Sequence, residues 1–281
     1  MTRYLILILI SLLFATSSFA DQRILDIEGA DGAVTLVRAG QAVPLVPFAS
    51  LQVGDEIRVL KAGTQVLIGG GGGNIQVDET NSPYRVTETQ APTVAGNVWA
   101  GVVESYRSLA GDDKDVISVI TRGARGDPAV APQFRCLADT ENLVPEDVAI
   151  RILWTNGRAP FQLSLSGPEG GADPVEVRMD APASPALFAA PSLPQGAYRV
   201  TITDGAGLQA PYPAKFQVVP SEALPASARA LRGSDLPARA KDRLVAAALA
   251  DKDAWRFAAV LFAARAQDAA LLAGLLARTC R

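Results

Sequence analysis

Between residues 136 and 220, apolar side chains recur at every second position in one run after another. Ile150, Ile152 and Trp154 share a face, with Arg151 opposite. Phe161, Leu163 and Leu165 alternate with Gln162, Ser164 and Ser166, and Val175, Val177 and Met179 with Glu176 and Arg178. Tyr198, Val200 and Ile202 alternate with Arg199, Thr201 and Thr203, and Phe216 and Val218 with Lys215 and Gln217. A strand sends successive side chains to opposite faces, so each run has one dry side and one wet side. Asn156-Gly157, Gly167-Pro168, Pro194-Gln195-Gly196 and Asp204-Gly205 supply the turns. Dry faces of this kind are buried by stacking two sheets, which predicts a β-sandwich over 136–220.

A second β region precedes it, over residues 21–92. Its predicted strands are Arg23–Glu28, Ala33–Arg38, Gln41–Val46, Ile57–Leu60, Thr64–Ile68, Asn74–Val77 and Tyr84–Thr87. The turns between them carry Asp31-Gly32, Ala39-Gly40, Gly54-Asp55, Ala62-Gly63 and Asn81-Ser82-Pro83, residues that accept positive φ or bond their own backbone. The five glycines Gly69 to Gly73 lack the Lys-Ser/Thr and the following helix of a phosphate-binding loop, so they read as a hairpin tip.

A connector over 93–135 holds one amphipathic helix, Gly96–Ala110, with Gly111 as its stop. Asp112, Asp113 and Asp115 read as a solvated loop, since a calcium loop needs more oxygens at fixed offsets. Val116 to Thr121 is a candidate strand. Arg125-Gly126-Asp127 is a three-residue match that chance supplies. From residue 221 to 281 the composition shifts to alanine and leucine, which predicts a helical tail, drawn as a hairpin or an assembly surface. Its helices are placed near Glu222–Arg232, after a cap at Ser234 or Asp235, after a cap at Asp253, and near Asp268–Thr279. The predicted class is therefore mainly β with a helical C-terminal tail.

Composition narrows the chemistry. The chain has 281 residues, 49% of them hydrophobic, a net charge of −3, two cysteines and no histidine. Without histidine there is no Ser-His-Asp or Cys-His catalysis and no HExxH zinc site. Two thiols cannot make a four-thiolate metal site. Asp and Glu are plentiful, but none falls in a patterned motif of paired carboxylates. No catalytic, cofactor or metal residue is assigned, and the chain is read as no enzyme. The acidic balance argues against nucleic acid and against anionic lipid as partners.

Residues 1–20 read as a secretory signal, with Arg3 in the n-region, an apolar run from Leu5 to Phe14, and Ser18-Phe19-Ala20 for cleavage after Ala20. The expected location is periplasmic or secreted, with no stable membrane span after cleavage. In an exported chain, Cys136 and Cys280 are expected to form a disulfide that ties the tail to the base of the sandwich. Two buried thiols and an intermolecular bridge through Cys280 are the alternatives.

Two resemblances add to this. Gly32-x-Val34-x-Leu36-x-Arg38-x-Gly40, followed by Leu51-x-x-Gly54-Asp55-x-Ile57, resembles the periplasmic β domain of FecR-type proteins. That resemblance implies a periplasmic location and a protein-binding or signal-relay role. It covers the first β region only, so sigma-factor regulation is not carried over. Leu193-Pro-Gln-Gly196-Ala-Tyr198 resembles the tyrosine corner of immunoglobulin and fibronectin type III sandwiches, and Trp154-Thr-Asn-Gly157-Arg-Ala-Pro160-Phe161 is similar to a step in bacterial immunoglobulin-like modules. These imply a spacer or binding module. The expected function is a non-enzymatic envelope scaffold or relay with a protein partner. The alternative is a peptidoglycan- or polysaccharide-binding module, which would need exposed aromatics; Trp99, Trp154 and Trp255 sit at apolar-face positions instead.

Overall fold

The computed structural model describes residues 22–30, 32–70, 73–87, 96–110, 127–137, 142–168, 175–179, 186–187, 193–278 and 280. The expectations for the leader and its cleavage after Ala20, for Gly111, for the Asp112–Asp115 cluster and for a strand at Val116–Thr121 lie outside them. The chain divides into two units, Met1–Asn97 and Val98–Arg281.

The first unit is two antiparallel sheets. One has the order β1 (Arg23–Glu28), β5 (Gln65–Gly70), β6 (Gly73–Val77). The other runs β3 (Gln41–Val43), β2 (Val34–Arg38), β4 (Glu56–Val59), β7 (Tyr84–Arg85). Ile24, Leu36, Leu51, Ile57, Val66, Ile68, Val77 and Val86 meet between them, each no more than 1% exposed. Ala39 and Gly40 join β2 to β3 with φ of 50° and 80°, the two positive values a tight hairpin turn requires. β3 stops at Val43, short of the expected Val46, because Pro44 cannot donate to a ladder and the chain then changes sheets. Phe48 donates its N–H to Ile24 and Leu51 to Gln22, so this segment lies along the outer side of β1.

β5 and β6 pair antiparallel up to Gly70 opposite Gly73, and Gly71 and Gly72 lie outside the described residues. One member of the glycine run has a packing duty. The β1–β5 register shifts between Ile24 and Asp26, which leaves Leu25 as the extra residue of a bulge. Leu25 lies against Gly69, where an added Cβ would stand 2.5 Å from Leu25 Cδ1.

In the second unit, α1 (Gly96–Ala110) turns Val102, Val103, Tyr106 and Leu109 inward and Glu104 and Arg107 outward, as its periodicity predicts. Four short strands form two pairs: β8 (Gln133–Phe134) with β11 (Trp154–Thr155), and β10 (Arg151–Ile152) with β14 (Ala186–Leu187). The main sheet has five strands in the order β13 (Val175–Met179), β12 (Phe161–Ser166), β15 (Gly196–Thr203), β16 (Ala214–Val219), β9 (Leu143–Pro145). All its neighbours are antiparallel except β9, which runs parallel to β16. Phe161, Leu163, Leu165, Val200, Ile202, Phe216 and Val218 fill its inner face and are at most 3% exposed. At about 1.5–3 kcal/mol for each large apolar side chain, burial of this face contributes substantially to the stability of the unit.

The two short pairs do not cover that face alone. Trp154 meets Phe161 edge-on at 5.2 Å from one side. On the other stand the C-terminal helices: α2 (Ala226–Arg232), α3 (Ala238–Leu249), α4 (Arg256–Arg265) and α5 (Ala269–Arg278), with 3-10 turns at Ser221–Ala223 and Asp253–Trp255. α4 packs on β9, and the Phe257 ring lies 6.1 Å from Phe216. Phe257 through Ala263 are all buried, on every side of α4. A helix apolar all round has no wet face, so it belongs inside a core.

The tail, read from the sequence as a packed helical hairpin or an assembly surface, falls in one unit with the sandwich. The expected caps differ. Pro237 precedes α3 with no side-chain cap, and Ser234 Oγ instead donates to the Leu231 carbonyl at the end of α2. Asp253 opens a 3-10 turn and pairs with Arg256. Asp268 is the true cap: its Oδ1 accepts the Leu271 N–H at 2.9 Å.

Candidate binding surface

Asp55, in the turn before β4, is 2% exposed and fully committed. Its Oδ1 accepts Arg38 Nε at 3.0 Å and its Oδ2 accepts Arg38 Nη2 at 2.7 Å. The Gln52 N–H adds a third bond to Oδ2 at 2.8 Å, the local bond that the Gly54-Asp55 turn predicts. Gly54 takes a φ of 90°, and its N–H donates to the Val86 carbonyl. The bond to Asp55 raises the Arg38 pKa above its ordinary value. Arg38 stands in the quoted pattern, yet its partnership with Asp55 needs β2 and β4 side by side, which spacing alone does not reveal.

The buried acids Asp204, Asp242 and Asp268 of the second unit are held in the same way. Asp268 Oδ2 accepts the Tyr106 hydroxyl at 2.9 Å and pairs with Arg243 Nε at 3.0 Å, with both partners buried. Asp242 receives Arg265 through two bonds of 2.7 and 2.6 Å. Asp204 accepts the N–H groups of Ala206 and Leu208 on one oxygen and of Arg158 on the other. Burial raises its carboxyl pKa, but the three backbone bonds and the charge of Arg158 together outweigh that rise, and the net displacement is downward. Among the described residues no group of three or more Cys, Asp or Glu could hold a metal ion.

Cys136 and Cys280 form a disulfide with Cα atoms 4.4 Å apart. Arg135, next to it, donates to the Leu276 carbonyl, so the segment just after β8 holds the end of α5 through a covalent bond and a cationic C-cap. The Tyr198 hydroxyl reaches back to the Pro194 carbonyl at 2.8 Å, the bond of a tyrosine corner. Trp154 is 3% exposed and Trp255 7%, so both serve the core.

The outer face of the main sheet carries an open groove of about 710 Å³. Its wet rim consists of Ser166, Arg199, Lys215 and Gln217 beside Asn142. Arg199 is in direct register with Lys215, and Ser166 with Arg199, so the two cations face each other across β15 and β16. Tyr198 and Phe216 underlie the groove but are 6% and 3% exposed, stacked on each other at 5.3 Å. Periodicity placed Arg199 and Lys215 on the wet face. Their pairing is a property of strand register, which the sequence did not supply.

No family model matches the chain, and no curated protein matches it in sequence. Among solved structures, the FN1-FN3 domains of chicken CNTN1 are similar over 72% of this chain at 10% identity, with a TM-score of 0.23. The chain spans 58% of that chain.

Proposed function

We propose that the chain is a non-enzymatic, exported protein of the cell envelope whose first unit is a FecR-like module for protein binding or signal relay. The observation that carries this reading is the Arg38–Asp55 pair. It joins the two halves of the FecR-like pattern, so the spaced residues of that pattern work together as the brace of one small β unit. The disulfide suits an oxidising compartment. The buried acids are held by arginines and backbone N–H groups, which leaves them to stability and not to proton transfer. Burial of Trp154 and Trp255 removes two candidate platforms for sugar rings and ranks the polysaccharide reading second.

The test is capture from envelope extract with the full oxidised chain, beside Leu60→Asp and Val46→Asp, which change large apolar residues of the first unit that are 59% and 46% exposed. The reading expects a partner retained by the wild type and lost from a surface variant. Recovery of nothing specific, or tight binding to purified sacculi, contradicts it.

A further inference from the structure

Some cations of the second unit are paired with carboxylates, Arg232 with Asp147 and Arg265 with Asp242 among them. Arg199 and Lys215 are arranged differently. They sit directly opposite each other on adjacent strands, both exposed, and among the described residues no carboxylate pairs with either. Like charges in direct register weaken a sheet, and nothing in sandwich packing asks for them on the wet face. A carboxylate placed between them removes that cost. Gln217, exposed in the same groove, adds an amide that can both donate and accept.

The geometry points to this groove as the docking site of an acidic polypeptide segment, seated with its carboxylates on Arg199 and Lys215. A glycan fits less well, because the groove's two aromatics, Tyr198 and Phe216, are turned into the core and present no ring face for a sugar. Nucleic acid fits less well too, since the chain as a whole is acidic, with a net charge of −3. The site lies in the second unit and does not rest on the FecR-like reading of the first.

The experiment is fluorescence anisotropy of a labelled oligoglutamate peptide titrated with the full oxidised chain, beside a labelled oligoglutamine peptide. Polygalacturonate serves as competitor. The expected result is binding of the acidic peptide alone, weakening with salt. It should fall about tenfold in Arg199→Gln/Lys215→Gln, whose side chains are exposed and whose removal leaves the core intact. Arg58→Gln, which alters an exposed cation of the first unit, should bind as the wild type does. Absence of binding, equal binding by the double variant, or tighter binding of polygalacturonate than of the peptide overturns the inference. Binding that emerges only in Glu141→Gln/Glu169→Gln overturns it as well, since the groove would then be serving the chain's own acids. A partner captured through the first unit without any peptide binding would leave the proposed function standing and this inference refuted.

Discussion

Arg38 holds both carboxylate oxygens of Asp55 at 3.0 and 2.7 Å, across a sequence separation of 17 residues. The two ends of the pair are not equally buried: the Asp55 side chain is 2% exposed and that of Arg38 29%. Removing Arg38 strands a carboxylate away from water, whereas removing Asp55 leaves a guanidinium that water can reach. Arg38→Ala should therefore cost about 3 kcal/mol and Asp55→Ala about half of that, read from urea unfolding of the first unit. Equal losses, or a larger loss for Asp55→Ala, contradict the asymmetry.

The tyrosine corner can be tested by one atom. Tyr198→Phe keeps the stack on Phe216 and deletes the hydroxyl that donates to the Pro194 carbonyl. A loss of about 1 kcal/mol is expected in chemical unfolding of the second unit. A neutral substitution would mean that the corner bond contributes nothing here.

Asp204 gives the second unit an acid-sensitive joint. Its folded pKa lies below the ordinary 3.8, so the stability it contributes is complete above that value and is lost as the pH falls toward its own lower one. Asp204→Asn should be less stable than the wild type at neutral pH, and the gap should close on acidification below 3.8. Urea midpoints at a series of pH values check this. A gap that stays constant refutes the role of the charge.

The end of α5 is fixed on two sides. The disulfide closes a loop of 144 residues, worth about 5 kcal/mol in the chain-entropy account. Cys136→Ser/Cys280→Ser should lower the unfolding free energy of the second unit by an amount of that order. On the other side, a Cβ at Gly274 would stand 1.8 Å from the Leu109 carbonyl oxygen, so Gly274→Ala must push α1 and α5 apart. A cost of about 3 kcal/mol is expected from thermal unfolding, and a silent Gly274→Ala would contradict the close approach.

The parts of this fold legible in the sequence are those governed by local rules. The alternating runs appear as β12, β15 and β16, and the helix predicted over Gly96–Ala110 appears with those bounds. The Tyr198 corner was readable because its bond reaches back only four residues. Long-range partnerships were not readable. Nothing in the spacing of Tyr106, Arg243 and Asp268 announces that three helices meet on one carboxylate. Alanine and leucine suit a helical pair as well as a core helix, so composition does not say which surface the tail covers. The long-range packing of α4 on β9, and of Phe257 on Phe216, has no local signature in the sequence. The groove's paired cations were hidden for the same reason, since register decides which wet-face residues become neighbours.

The central claim is that α4 is a wall of the sandwich core. Hydrogen–deuterium exchange of the intact oxidised chain tests it most directly. The account predicts that the amides of Phe257–Ala263 are as protected as those of Val200–Ile202 and Phe216–Val218, and lose protection with them as urea rises. Fast exchange in α4 while the sheet stays protected would contradict it.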